Sequence, residues 1–210
     1  MQNITDRTRN PFGMRTPPEY AETAAQTVFG YGDANADFHL IGDHPGVHGG
    51  RKTGVPFTEG VAGKRLQPIL HELGFLADAY DDEPRPTNLY CSYIHMCTVD
   101  DGETPTRAQY DALERYFDAE LRAINGHILM PVGEQAIRHV VREYTTQERH
   151  LDFDMAALHG NDVRGGGFLV FPIRDPTEWE DGDAEYLETK LRALLNSDYR
   201  QTKGVATMIG

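Results

Sequence analysis

One stretch early in the chain combines glycine, proline, histidine, cationic and aromatic residues. It begins with Gly-Asp-His-Pro-Gly at residues 42–46 and runs through His48 to Phe57. Its glycines permit positive φ and close approach of the backbone to a ligand, while Arg51 and Lys52 favour an anionic one. Phe57 offers a ring for stacking on a base. The residues alone leave a second interpretation open, in which this is a surface loop anchored in the core by Phe57.

Cys91, His95 and Cys97 also have suggestive spacing, because strand alternation places all three on one face. They would make a partial metal site, but three donors on one strand are more often core residues. Two cysteines are too few for a disulfide framework, so buried reduced thiols are expected. The sequence contains no nucleophile elbow, phosphate loop or dinucleotide fingerprint, and we predict neither a metal nor a cofactor.

Alternating strand and helix patterns position these residues. Strands are predicted at residues 37–42, 88–96, 127–132 and 168–172. Helices are predicted at residues 62–73, 104–124, 134–144 and 183–195, where apolar side chains recur at helical spacing. Thr104 is the predicted N-cap of the second helix. This order predicts an α/β fold, a three-layer α/β/α sandwich around a central four-stranded parallel sheet.

Three regions are predicted along the chain. Residues 1–30 form an irregular N-terminal arm with one helix near residues 21–28, residues 31–197 form the α/β domain, and residues 198–210 form a tail. Because ligands bind outside the carboxyl ends of parallel strands, function is expected in the segments that follow the strands. These segments are residues 43–57, 97–103, 133–134 and 173–179.

Composition limits the possible partners. The 210 residues include 33 acidic and 20 basic side chains, a net charge of −13, and only four lysines. Such a surface favours a protein from a high-salt organism, where molar salt screens repulsion within about 3 Å, so DNA is not excluded. No run approaches the roughly 18 apolar residues that span a bilayer. Residues 1–18 lack the apolar core of an export signal, and a cytoplasmic monomer without membrane contact is expected.

The glycine-rich stretch resembles the base-pocket loop of the uracil-DNA glycosylase superfamily. Residues 42–46 are similar to the Gly-Glu-Ala-Pro-Gly motif of family four, and residues 48–58 to the His-Gly-Gly-x-x-Thr-Gly-x-x-Phe-Thr loop of family five. The likeness spans roughly residues 31–195 in the family order. The further matching blocks are residues 89–105, residues 131–133 at a Leu-Gly turn, and residues 170–176 at the final His-Pro motif.

This resemblance implies an enzyme that binds a flipped uracil or other deaminated base and hydrolyses its N-glycosidic bond in base-excision repair. Asp43, at the family-four glutamate position, and Asp101, near a family-five aspartate, are candidates to activate a water at C1′. Phe57 is the expected stacking ring, and the amides of residues 43–46 are expected to meet the uracil carbonyls. The predicted substrate-binding residues are Gly42, Pro45, Gly46, His48, Phe57, Tyr93, Arg174 and Asp175.

The chain departs from the family at several of these positions. Asp175 occupies the place of the usual leaving-group histidine, where an ionised carboxylate would repel a uracil anion unless it were protonated or Arg174 reversed the local field. Tyr93 replaces the family-four asparagine, and His44 is a candidate to replace the missing histidine from across the pocket. Only Cys97 matches the four cysteines of the families' iron–sulfur cluster, so a divergent haloarchaeal-type member without that cluster is expected.

Three functions are therefore compatible with the sequence. The leading hypothesis is a uracil-DNA glycosylase-like enzyme. The second is a catalytically impaired member of the superfamily that binds DNA or a nucleobase without cleavage. The third is an unrelated small-molecule α/β hydrolase in which Asp43, His44 and Asp175 act as an acid–base set.

Overall fold

A computed structural model of the chain describes residues 8–23, 25–100, 102–124 and 126–197. Within these ranges the strands are β1 (Tyr31–Gly32), β2 (Phe38–Gly42), β3 (Leu89–Tyr93), β4 (Ile128–Pro131), β5 (Val163–Gly165) and β6 (Phe168–Val170). The helices are α1 (Pro45–His48), α2 (Val61–Glu72), α3 (Arg107–Ile124), α4 (Glu134–Tyr144), α5 (Met155–Leu158) and α6 (Asp183–Leu195), with a 3₁₀ turn at Pro176–Glu178.

The described strands form one six-stranded sheet in the order β1-β3-β2-β4-β6-β5. Its four central strands are parallel and are the four that the sequence predicts, so the α/β class is confirmed. The sheet has six strands rather than four because β1 pairs antiparallel with β3, and β5 with β6. Both edge strands span only two or three residues, too few to show a periodic pattern.

Alternation along the central strands separates two apolar layers. On β2, Leu40 packs with the apolar side of α2 and α6, including Leu66 and Leu187. The next residue, Ile41, packs on the opposite face with Phe117 of α3 and Val140 of α4. Because successive side chains of a strand point to opposite faces, a fully buried strand needs a helical layer on each side. Helices therefore cover both faces of the sheet, as the predicted three-layer arrangement requires.

Two helix predictions near the sheet edge are wrong. Of residues 21–28, those that the structure describes, 21–23 and 25–28, are not helical. Thr27 bridges Cys97, and the Val28 amide donates to the Met96 carbonyl at 2.8 Å, so the arm lies extended beside the segment after β3. Helix α3 begins two residues later than an N-cap at Thr104 would require. Its first turn is fixed by Thr106 and Gln109, whose side chains each accept the backbone amide of the other.

Some predictions fall outside the described residues. Asp101, a candidate catalytic acid, and the predicted tail at residues 198–210 are among them. Within the described part of the chain, no helix combines the length and apolar character that would cross a bilayer.

Candidate active site

Asp43 lies directly after β2, at the carboxyl edge of the parallel sheet where ligands bind. Its carboxylate is buried, and its Oδ1 accepts a hydrogen bond of 2.5 Å from the hydroxyl of Tyr110 on α3. Burial raises the pKa of Asp43, while the Tyr110 hydroxyl and the nearby ring of His48 partly offset that rise. Asp43 is thus a buried carboxyl group with one oxygen held by the Tyr110 hydroxyl.

His48 is buried at the end of α1 and connects two of the predicted site segments. Its Nδ1 accepts the backbone amide of Asp43 at 2.9 Å, which assigns the proton of the neutral ring to Nε2. Nε2 lies 3.4 Å from Oδ2 of Asp175, in a contact too long and bent for a regular hydrogen bond. An added Cβ on Gly133 would lie 3.6 Å from the same Nε2, so the start of α4 closes against this ring.

His44 serves the local structure of the loop. Its Nδ1 accepts the Gly46 amide at 3.1 Å and so caps α1, and burial lowers the pKa of the ring to about 4. The amides of Asp43 and Gly46, predicted to meet uracil carbonyls, therefore already donate to imidazole nitrogens. Pro45, between them, has no amide hydrogen to offer.

Phe57 and Tyr93 lie beneath the same loop, and both are almost completely buried. The Tyr93 hydroxyl accepts the Phe57 amide and donates to the Gly49 carbonyl, each at 2.9 Å. The imidazole of His48 stacks on the Phe57 ring with a centroid distance of 5.5 Å and an interplanar angle of 25°. One face of the predicted stacking ring is thus covered by a histidine, and base stacking on Phe57 stays a prediction.

Binding of an anionic base would require a protonated Asp175 or an Arg174 that reverses the local field, and neither is found. Asp175 caps the 3₁₀ turn, since its Oδ1 accepts both the amide and the hydroxyl of Thr177. Although burial raises its pKa, the facing His48 and Thr177 lower it more, to about 2, so the carboxylate is ionised at neutral pH. The Arg174 guanidinium lies instead against three other carboxylates, those of Glu178, Glu180 and Asp183.

A groove of about 560 Å³ opens beside Asp43 between α3 and α4. Tyr110 and Glu114, one turn apart on α3, line one wall, and His139 lines the other. The volume falls within the range of about 300–1,000 Å³ typical of small-molecule sites. The sequence does not mark this wall, because Tyr110 recurs at the helical spacing of the apolar positions of α3 and resembles a core residue.

A family model described as the uracil DNA glycosylase superfamily matches residues 29–196 of this chain. The chain belongs to the uracil-DNA glycosylase superfamily. The match covers every central strand and the loops that carry Asp43, His48 and Asp175. Membership therefore accounts for the parallel sheet and for the order of the site segments along it.

Two relatives are both named Type-5 uracil-DNA glycosylase. That of Thermus thermophilus is 34% identical over 100 residues, which is 46% of this chain and 45% of the relative. That of Pyrobaculum aerophilum is 27% identical over 152 residues, covering 70% of this chain and 64% of the relative. The matched segments thus span less than two thirds of either relative.

The cysteines of this superfamily member do not fit a four-thiolate iron–sulfur cluster. Cys91 lies in the core between the sheet and α2, while Cys97 lies in a separate apolar cluster with Met96 and Leu113. Burial raises the pKa of the two thiols to about 12 and about 11, whereas cluster ligation requires thiolates. Both ring nitrogens of His95 have partners, so the alternative of a Cys91, His95 and Cys97 metal site is not supported.

Proposed function

We propose that this chain is a DNA N-glycosylase that removes uracil or another deaminated base, and that Asp43 positions the attacking water at C1′. The proposal is supported by superfamily membership across residues 29–196 and by two relatives named as uracil-DNA glycosylases. Breaking the N-glycosidic bond leaves positive charge on the sugar and negative charge on the base. A glycosylase therefore needs a carboxylate near the sugar and hydrogen-bond donors near the departing base.

The observation that carries the proposal is the setting of Asp43. The carboxylate stands at the carboxyl end of a central strand, lines an open groove and is held through Oδ1 by Tyr110. Fixing one oxygen leaves the other to orient a water and to face the positive charge that develops on the sugar. Because Tyr110 donates to the ionised form, it favours the carboxylate that this role requires.

The alternative function of a small-molecule hydrolase receives less support. The imidazole that contacts both Asp43 and Asp175 is His48, whereas the Nδ1 of His44 accepts the Gly46 amide within the loop, so the acid–base set of Asp43, His44 and Asp175 stays a prediction. Superfamily membership also removes the premise that the chain is unrelated to DNA glycosylases. Asp101 stays a second prediction for water activation, to be tested with its own Asp101→Asn variant.

A member that binds without cleaving is the second candidate function, because one observation favours it. Asp175, at the usual histidine position, is ionised and would oppose a uracil anion rather than stabilise it. If no other group supplies donors to the departing base, the superfamily fold would remain while catalysis is lost.

Incubation with oligonucleotides that contain uracil, hypoxanthine or xanthine separates the two functions. Each base is tested in single and double strands and across a salt series, because the net charge of −13 opposes binding to phosphates at low salt. We expect alkali-labile sites at a deaminated base and none at unmodified cytosine or adenine. Tight binding of the same oligonucleotides without any alkali-labile product would establish the binding protein instead.

A further inference from the structure

We infer that the imidazole of His48 is an internal plug, which fills a slot for a planar base and must move out before a base can enter. The slot is bounded by the Phe57 ring, the Asp43 amide and the Asp175 carboxylate, and each of these contacts His48. This inference rests on the proposed function, because it states what a base must displace before it can stack on Phe57.

The imidazole of His48 lies within a stack of aromatic rings. Its plane is within 25° of the Phe57 ring at a centroid distance of 5.5 Å, and within 23° of the Tyr93 ring at 6.4 Å. Near-parallel stacking on an aromatic side chain is also how proteins hold a nucleobase. Because His48 is only 1% exposed, its ring closes the face of Phe57 that it covers.

The edge of the imidazole makes polar contacts of the kind that a base would make. Nδ1 accepts the Asp43 amide at 2.9 Å, and Nε2 lies 3.4 Å from Oδ2 of Asp175. Nδ1 therefore takes the place of a base carbonyl, and the Nε2 proton takes that of a ring N–H. A donor and an acceptor on two edges of one ring suit imidazole and the pyrimidine bases alike, so the slot fits a planar nitrogen heterocycle rather than one particular base.

Two glycines leave the room that the ring occupies. A Cβ added to Gly42 would lie 2.8 Å from Nδ1 of His48 and 2.6 Å from the Tyr93 ring, closer than side-chain carbons approach. Gly42 ends strand β2, so the missing side chain serves close packing of these rings rather than a turn. On the other edge, a Cβ added to Gly133 would lie 3.6 Å from Nε2. Backbone without side chains thus borders the imidazole on both edges.

The place of His48 in the chain allows its ring to leave. His48 is the last residue of α1, which has only four residues, and glycines with positive φ follow at residues 49–50. The preceding residue, Val47, is 39% exposed, so the plug lies one residue from solvent. An entering base would restore both the stack and the acceptor for the amide. Displacement therefore exchanges similar contacts instead of removing them.

Binding of free uracil to the full chain, titrated by saturation-transfer NMR, tests the plug without any cleavage step. His48→Asn is the variant of choice, because the asparagine Oδ1 can accept the Asp43 amide while Phe57 loses its covering ring. We expect His48→Asn to bind uracil about 10- to 100-fold more tightly than wild type, in which only a minor fraction of molecules has an open slot. His39→Asn is the matched control, since His39 is equally buried and lies outside the slot.

Imidazole is a second probe, which works even where a variant folds poorly. His48→Gly deletes the whole ring, and added imidazole should refill the slot. We expect imidazole to raise the unfolding temperature of His48→Gly, or to restore its folding, by more than it stabilises wild type. A response of His48→Gly no larger than that of wild type would overturn the inference.

Equal uracil binding by wild type, His48→Asn and His39→Asn would also overturn it. So would a gain of binding that persists when Phe57→Leu is added to His48→Asn, because the base would then lie elsewhere. Tighter uracil binding by His48→Asn in a protein that excises no base would uphold the plug and refute the glycosylase function. Excision by wild type without any gain of binding in His48→Asn would refute the plug alone.

Discussion

We expect a buried carboxyl group on α3 to make the unfolding free energy of this protein depend on pH. Glu120 is 1% exposed, and its Oε1 accepts the Tyr90 hydroxyl at 2.5 Å beneath the sheet edge. Burial raises the pKa of Glu120 from an ordinary value of 4.5 to about 7, although Tyr90, Ser92 and the Gly30 amide partly oppose that rise. The protonated form therefore predominates in the folded protein below about neutral pH.

The expected magnitude follows from linkage. A group whose pKa is raised on folding stabilises the protein fully below its unfolded pKa, and that stabilisation is lost as pH rises through the folded pKa. With 1.36 kcal/mol for each unit between 4.5 and about 7, deprotonation of Glu120 costs about 3 kcal/mol of unfolding free energy. Glu120→Gln, which is neutral at every pH, should not show this loss.

Urea unfolding measured from about pH 5 to about pH 9 tests this prediction. The difference in unfolding free energy between Glu120→Gln and wild type should shift by about 3 kcal/mol in favour of the variant as pH rises. The constant cost of burying the new amide cancels in that shift. Glu185→Gln, an exposed change on α6, should parallel the wild type. Parallel curves for Glu120→Gln and wild type would refute the reasoning.

Two hydroxyl deletions test the site geometry. Tyr93→Phe leaves the buried Phe57 amide and the Gly49 carbonyl without their partner, so the unfolding free energy measured in urea titrations should fall by about 1–3 kcal/mol. An unchanged unfolding midpoint would contradict the stabilising role of the Tyr93 hydroxyl. Tyr110→Phe removes a donor that lowers the pKa of Asp43, so the acid limb of the excision rate should move to higher pH. An acid limb at its wild-type position would show that this contact does not control the ionisation of Asp43.

Much of the fold was predictable because the central strands are short apolar runs between amphipathic helices. Helices α4 and α6 begin and end at the predicted residues, 134–144 and 183–195, and the four parallel strands are those predicted. The N-terminal arm was not predictable, since extended pairing of Thr27 with Cys97 depends on a partner some 70 residues away in sequence. No local pattern encodes such a contact.

The candidate site was predictable only where it follows a strand. Asp43 and His48 lie in the glycine-rich stretch that the sequence already marks for a ligand. Glu114 and His139 lie on amphipathic helices, where a polar residue on the boundary of the apolar face resembles any other solvent-facing one. Only the packing of α3 beside α4, which places both residues in one groove, distinguishes them from ordinary solvent-facing residues.

The central claim, that Asp43 positions the water in a DNA N-glycosylase, is tested most directly by single-turnover excision of uracil with Asp43→Asn. Asp111→Asn is the control, because it neutralises an exposed carboxylate in the same groove. Asp43→Asn should slow excision by about 10²- to 10⁴-fold while uracil binding and thermal stability remain near the wild type, and Asp111→Asn should excise normally. Excision by Asp43→Asn at the wild-type rate would contradict the claim.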